Sequence, residues 1–303
     1  MGMSDTPPNQ EQAHPRLVPL AGGEKVRTAL TNAAALLVPV SDTQRLDAEL
    51  LMAHALGVSR EVMLLRHLGD DVPAGFGPLL ARRQSHEPLA YITCTRDFWT
   101  ISLTVAPGVL IPRADSETLI EAAVGHFGGA GPKRILDLGT GSGALLLAAL
   151  SEWPHATGLG IDASPAALVI AQENAAKLGL AERAHFLPGN WAEGIEERFD
   201  LILCNPPYIE TGATLASQVH DYEPAMALFA GEDGLDAYRV LIPQLPERLA
   251  PGGMIALEIG SAQAASVADL FRASGLSPHL RQDLAGKDRA ILHFSLGIGQ
   301  KAS

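Results

Sequence analysis

Two short runs carry residue types whose spacing can do chemistry. The first is Leu136-Asp137-Leu138-Gly139-Thr140-Gly141-Ser142-Gly143. Glycines at alternate positions let the backbone turn sharply and let a ligand approach it closely. About 20 residues on, Gly160-Ile161-Asp162 closes the next apolar run, and an acid there accepts hydrogen bonds from both ribose hydroxyls of a nucleoside. The spacing is Gly-x-Gly-x-Gly rather than the Gly-x-Gly-x-x-Gly of dinucleotide enzymes, and no Gly-Lys-Ser/Thr phosphate loop occurs. A nucleoside without phosphates fits, and S-adenosylmethionine is the obvious one. The plainer alternative is a tight turn with a solvated aspartate.

The second run is Asn205-Pro206-Pro207-Tyr208, directly after the apolar residues 201–204. Adjacent prolines have fixed φ and no N–H to donate, so they hold carbonyl oxygens in a rigid turn. Asn205 adds a side-chain carbonyl, and Tyr208 adds a flat apolar face. Two acceptors and a ring suit a planar –NH₂ group: a carboxamide, or the exocyclic amine of adenine or cytosine. A proline turn with a capping asparagine is the structural alternative.

Elements of two kinds must position these runs. From residue 109 onward strand and helix signals alternate. Strands are predicted at 134–138, 157–161, 184–187, 201–204 and 254–258, and helices at 144–152, 165–178, 235–249 and 262–274. Ser164 before Pro165 is a strong helix start. Such alternation argues for a parallel sheet covered on both faces, with residues 289–294 as a last antiparallel strand. Residues 24–87 read instead as helices. Val26, Ala29, Leu30, Ala33, Leu36 and Leu37 recur at helix spacing. Ser41 with Gln44 predicts a capping box, Gly57 a stop, Ser59 a third short helix, and residues 78–86 a fourth. Tyr91, Ile92, Thr93, Phe98, Trp99, Ile101, Leu103 and Val105 are strand formers and predict a hairpin over 91–105.

The 303 residues are 47 % hydrophobic and 18 % charged, which supplies a core and excludes a disordered chain. At one domain per roughly 150 residues, two domains are expected. The formal charge is −12, of which residues 108–303 carry −10 and residues 24–88 only −1. An acidic surface repels phosphate backbones, which disfavours nucleic-acid binding. No run approaches the ~20 apolar residues of a membrane span. Two cysteines, Cys94 and Cys204, suit a reducing compartment and read as small buried or half-buried residues. Residues 1–23 are proline-rich and lack a secretory pattern. Their start formally fits a myristoylation motif, for which an ordinary start is the plainer explanation.

The chain resembles the HemK-like release-factor glutamine methyltransferases from about Glu24 to Ile291. The similarity runs through Glu87-Pro88-Leu89-Ala90-Tyr91-Ile92, Val109-Leu110-Ile111-Pro112-Arg113, the glycine loop and the Asn-Pro-Pro-Tyr corner. It continues through Asp233-Gly234-Leu235-Asp236, Glu258-Ile259-Gly260 and Gly286-Lys287-Asp288-Arg289. The resemblance implies an α/β fold: a class I (Rossmann-like) S-adenosylmethionine-dependent methyltransferase sheet, a small N-terminal helical bundle and a linking β-hairpin. It implies a flexible tail over 1–23, a helical substrate-docking domain over 24–88, a hairpin linker over 89–107 and a catalytic domain over 108–303. Gly139, Thr140, Gly141, Ser142 and Gly143 would line the methionine part of the cofactor and Asp162 its ribose. Trp191 and Asn205 would also touch it. Asn205, Pro206, Pro207 and Tyr208 would hold the substrate glutamine, with Asn205, Pro206 and Tyr208 catalytic. Glu117 matches an acidic position near the family's site. Cys94 stands where the family usually has Gly, and Ala114 where it usually has Pro.

The implied reaction moves a methyl group from S-adenosylmethionine to the amide nitrogen (N5) of the glutamine in the Gly-Gly-Gln motif of peptide chain release factors. It would act in the cytoplasm as a monomer, without metal, membrane or direct nucleic-acid contact. Asn205 Oδ1 and the Pro206 carbonyl would accept the two amide N–H bonds. No histidine sits in a motif, so no general base is invoked and a flat pH profile is expected. Asn205→Asp is expected to be milder than Asn205→Ala. The alternatives are a glutamine methyltransferase acting on a ribosomal protein and an adenine-N6 DNA or RNA methyltransferase, which shares the corner motif.

Overall fold

The computed structural model describes residues 23–297. Of the expected tail over residues 1–23, residues 1–22, with the myristoylation pattern, lie outside them. The described chain divides into two compact units that meet between Thr93 and Cys94.

The first unit is helical. It comprises α1 (Val26–Leu37), α2 (Gln44–Leu56), α3 (Arg60–Val62), which runs on into a π-helical turn at Met63–His67, α4 (Phe76–Gln84) and α5 (Leu89–Thr93). Leu30, Leu51, Met52, Phe76 and Ile92 meet in one apolar core. Gly57 ends α2 with φ +68°, a left-handed turn that costs glycine little, and Ser59 Oγ caps α3 by accepting from the Val62 N–H. No capping box forms at Ser41. Its hydroxyl accepts from the Thr43 N–H instead, and Thr43 is the residue that precedes α2. Inside the unit Arg83 Nε donates to Asp47 Oδ2 at 2.8 Å, with both side chains about 5 % exposed.

The hairpin is shorter than the sequence predicts. Residues 89–93 are helical and belong to the first unit, because Tyr91 and Ile92 find a buried helical face that outweighs their strand preference. Cys94, at φ +56°, is exposed rather than half-buried. That left-handed backbone is where glycine is the unstrained choice. Strands β1 (Thr95–Phe98) and β2 (Ile101–Thr104) follow, joined through Trp99 at φ +54°.

The rest of the second unit is α6 (Glu117–Phe127), β3 (Arg134–Leu138), α7 (Ala144–Glu152), β4 (Thr157–Asp162), α8 (Pro165–Lys177), β5 (Ala184–Pro188), β6 (Phe199–Cys204), α9 (Ser217–His220), α10 (Asp236–Leu241), β7 (Leu249–Glu258), α11 (Ala264–Ala273), β8 (His279–Gln282) and β9 (Asp288–Phe294). The strands form one seven-stranded sheet in the order β5-β4-β3-β6-β7-β9-β8. The first five are parallel, and β9 and β8 are antiparallel. Separate apolar clusters cover the two faces, as a doubly wound sheet requires. The expected helix over 235–249 stops at Leu241. Pro243 and Pro246 cannot continue it, so the chain goes on in two short 3₁₀ turns. Strand β8 gave no sequence signal because it is an edge strand with all four residues exposed. Among the described residues no helix is long and apolar enough to cross a membrane.

Candidate active site

Sheet register builds the site. Leu138 at the end of β3 pairs with Ile161 of β4 on one side and with Cys204 of β6 on the other. Cys204 in turn pairs with Leu257 of β7. The next residue on each strand is therefore Asp162, Gly139, Asn205 and Glu258, side by side along one edge. Strand order reverses between β3 and β6, so these are carboxyl ends at a topological switch point, where open α/β sheets bind ligands.

A cavity opens at that edge. Gly139, Thr140, Gly141, Ser142, Asp162, Trp191, Asn205 and Pro207 all line it. Apolar walls come from Val109, Leu110, Leu145 and Ile161, with Met226 beside them. Gly139 and Gly141 have φ of +71° and +56°, and a Cβ on Gly139 would lie 3.4 Å from the Trp191 ring. The ring thus lies over bare backbone. Asp162 Oδ2 accepts from the Gly141 N–H and Oδ1 from the Ser164 N–H, each at 2.8 Å. A carboxylate offers about four acceptor positions, so two remain for a ligand. A flat apolar slot with one anchored carboxylate and no cationic group in its wall suits the nucleoside of S-adenosylmethionine. Beneath the loop, Asp137 takes the Thr140 hydroxyl at 2.6 Å, while its Oδ1 is buried with no hydrogen-bond partner. Burial pushes this carboxyl up to about 7.

Three expected site residues stand apart from the cavity wall. Gly143 begins α7, where a Cβ would press on Leu147 at 3.0 Å, so it serves helix packing. Pro206 is buried, and of the two prolines only Pro207 lines the cavity. Tyr208 turns away and donates its hydroxyl to Glu258 Oε1 at 3.2 Å, and burial raises its own ionisation well above the usual phenol range. Glu117 is not at the cavity either. Its Oε1 accepts from the Trp99 N–H at 2.9 Å and so holds the left-handed turn of the hairpin.

Asn205 is held by a residue that motif reasoning passed over. Its Nδ2 donates to Ser116 Oγ at 3.0 Å. The Ser116 hydroxyl makes a short hydrogen bond to Glu258 Oε2. Burial pushes Glu258 up to about 7, against the opposing pull of Ser116, Arg289 and Tyr208. Ser116 and Glu258 are 3 % and 1 % exposed. An acid closing an otherwise apolar strand, Met254 to Leu257, was the available signal. At the rim, Glu223 is buried and binds both the Ile111 N–H and Arg113, with Arg113 Nη2 2.6 Å from its Oε1. This fixes the 109–113 segment beside the cavity.

Two family models match the chain: "PrmC N-terminal domain" over residues 28–93 and "Methyltransferase small domain" over 116–222. A release factor glutamine methyltransferase from Rhodospirillum rubrum is 44 % identical over 254 residues, covering 82 % of this chain and 78 % of that protein. One from Cereibacter sphaeroides is 41 % identical over 280 residues, covering 90 % and 98 %. Among solved structures, the hMettl16 catalytic domain superposes with a TM-score of 0.55 at 16 % identity, covering 74 % of this chain and 84 % of that one, which is a likeness of fold.

Proposed function

The chain belongs to the release factor glutamine methyltransferases, and we propose that it transfers a methyl group from S-adenosylmethionine to the glutamine side-chain amide in the Gly-Gly-Gln motif of peptide chain release factors. One observation carries the assignment of roles. Asn205 stands beside the glycine loop with its NH₂ committed to Ser116, which leaves its carbonyl oxygen as the acceptor for a substrate. S-adenosylmethionine, when bound, supplies a methyl group on a positively charged sulfur. Gly139, Gly141 and Trp191 form the slot for it, and Asp162 takes the ribose hydroxyls. Asn205 Oδ1 accepts one N–H bond of the glutamine amide, and a backbone carbonyl of the proline corner, which meets the cavity at Pro207, accepts the other. That grip would add electron density to nitrogen and hold its lone pair in a fixed direction, the orientation that methyl transfer requires. The nitrogen loses its proton after transfer, when it is acidic, so the chain needs no base at the moment of attack. Tyr208 contributes by bracing Glu258 rather than by touching the amide.

The helical unit, which holds no site chemistry, docks the release factor. Its exposed Leu65 and Val38 and its near-neutral charge support that role. The net −10 of residues 108–303 weighs against a DNA or RNA substrate. The test offers labelled S-adenosylmethionine with release factor, ribosomal protein and DNA in turn. Label should enter the release factor alone and vanish when the glutamine of its Gly-Gly-Gln motif is replaced. Label in either other substrate, or none in the release factor, would refute the proposal.

A further inference from the structure

We infer that Ser116 and Glu258 are positioning residues that set which end of the Asn205 amide faces the substrate. The inference rests on Asn205 Oδ1 being the acceptor proposed above. A serine hydroxyl has one proton and two lone pairs. An ionised Glu258 only accepts, so the Ser116 proton points to Oε2 and the Ser116 oxygen shows Asn205 a lone pair. Asn205 must answer with its NH₂, and Oδ1 is left toward the cavity. Among the described residues nothing else hydrogen-bonds the Asn205 side chain, so this relay alone chooses between the two amide orientations.

A protonated Glu258 reverses the choice. Its hydrogen goes to Ser116 Oγ, the serine proton turns to Asn205, and Oδ1 becomes the matching partner there. The cavity is then shown an NH₂, a donor facing the donors of the substrate amide. Ser116 and Glu258 are nearly sealed from solvent, so water does not substitute for either partner. The groups around Glu258 are Tyr208 after β6, Cys204 at the end of β6, Tyr238 from α10, Asp115 before α6 and Arg289 on β9. Arg289 lies between Asp115 at 3.0 Å and Asp283 at 3.2 Å, so its charge is shared and does not hold Glu258 firmly ionised. Burial places the Glu258 carboxyl at about 7, within reach of ordinary pH. The sign follows: the competent orientation is populated above that value and lost below it.

Two measurements on the full chain test this. The first is single-turnover methyl transfer to release factor from pH 6 to 9. The wild type should show an acid limb near pH 7, in place of the flat profile expected from the lack of a general base alone. Ser116→Ala should lower the rate constant tenfold to a hundredfold, leave S-adenosylmethionine affinity within twofold and abolish the limb. Glu258→Gln should abolish the limb as well. The second needs no protein substrate: the side-chain amide proton signals of Asn205 in ¹⁵N spectra should titrate with the same midpoint in wild type and stop titrating in both variants. If release factor is not methylated by the wild type, the substrate assignment fails while the second measurement still decides the relay. A Ser116→Ala enzyme at wild-type speed, a limb that survives in either variant, or an Asn205 amide indifferent to pH would overturn the inference.

Discussion

Replacing Asp162 should weaken S-adenosylmethionine binding by more than the loss of a ribose contact alone. Each Asp162 oxygen already accepts one backbone N–H at 2.8 Å, from Gly141 inside the glycine loop and from Ser164 at the start of α8. The carboxylate therefore binds the ligand and pins the loop that cradles it. Asp162→Ala removes the ligand-facing acceptors, each a charge-assisted hydrogen bond worth ~1.5–3 kcal/mol, and frees the Gly141 N–H. Two such bonds total about 3–6 kcal/mol, which raises Kd roughly a hundredfold or more at 1.4 kcal/mol per decade. Asp162→Asn is not a mild control. Its Oδ1 satisfies one backbone N–H, but its NH₂ then faces the other, donor against donor, so its loss should approach that of alanine. Calorimetric titration of the full chain measures both. An Asp162→Ala protein binding S-adenosylmethionine within threefold of wild type would refute the assignment of Asp162 and the loop-pinning argument together.

Asn205→Ala should reduce kcat by about 10²–10³, the typical effect of removing one preorganised polar group, while cofactor affinity measured by the same titration changes far less. Asn205→Asp, milder by the corner motif alone, should be no milder in this fold, because Ser116 would then face two carboxylates with one proton to give; a variant retaining more than a tenth of wild-type kcat contradicts the relay. In the helical unit, Arg83→Ala strands the buried Asp47 carboxylate and should cost about 3–5 kcal/mol in urea denaturation, the usual penalty for breaking a sealed ion pair; a loss under 1 kcal/mol would mean that water reaches the pair. Glu258, pushed from 4.5 to about 7, binds its proton more tightly folded than unfolded. It therefore adds stability below pH ~4.5 that is lost as pH rises through 7. Glu258→Gln should gain on the cofactor-free wild type by about 2–3 kcal/mol between pH 5 and 8, read from denaturation midpoints.

The strand and helix order of the catalytic unit was legible because its strands are continuous apolar runs that stop at glycine, aspartate or asparagine. Strand 134–138 and helix 144–152 were placed to the residue; burial on both faces makes a parallel strand such as the first a continuous apolar run. The glycine loop, Asp162 and Asn205 were legible for the same reason: they are the polar residues at the ends of apolar strands. Pattern failed where tertiary contacts overrule local preference. Tyr91, Ile92 and Thr93 prefer strands, yet a buried helical face claims the first two and the segment is helical. Edge strand β8 buries nothing and so leaves no periodicity.

What the sequence by itself determined is the set of groups: a glycine loop, an acid closing the next strand, an Asn-Pro-Pro-Tyr corner, and a net negative charge. What only the tertiary structure decided is which of those groups face one another. Asn205 and Ser116 are 89 residues apart and Ser116 and Glu258 are 142 apart. Strand register and the turn before α6 bring them within hydrogen-bonding distance, and neither has a local signature. A linear motif specifies a side chain's chemistry but not its partners. For a buried amide or carboxyl the partners fix both orientation and protonation, because in a dry interior every donor must find an acceptor.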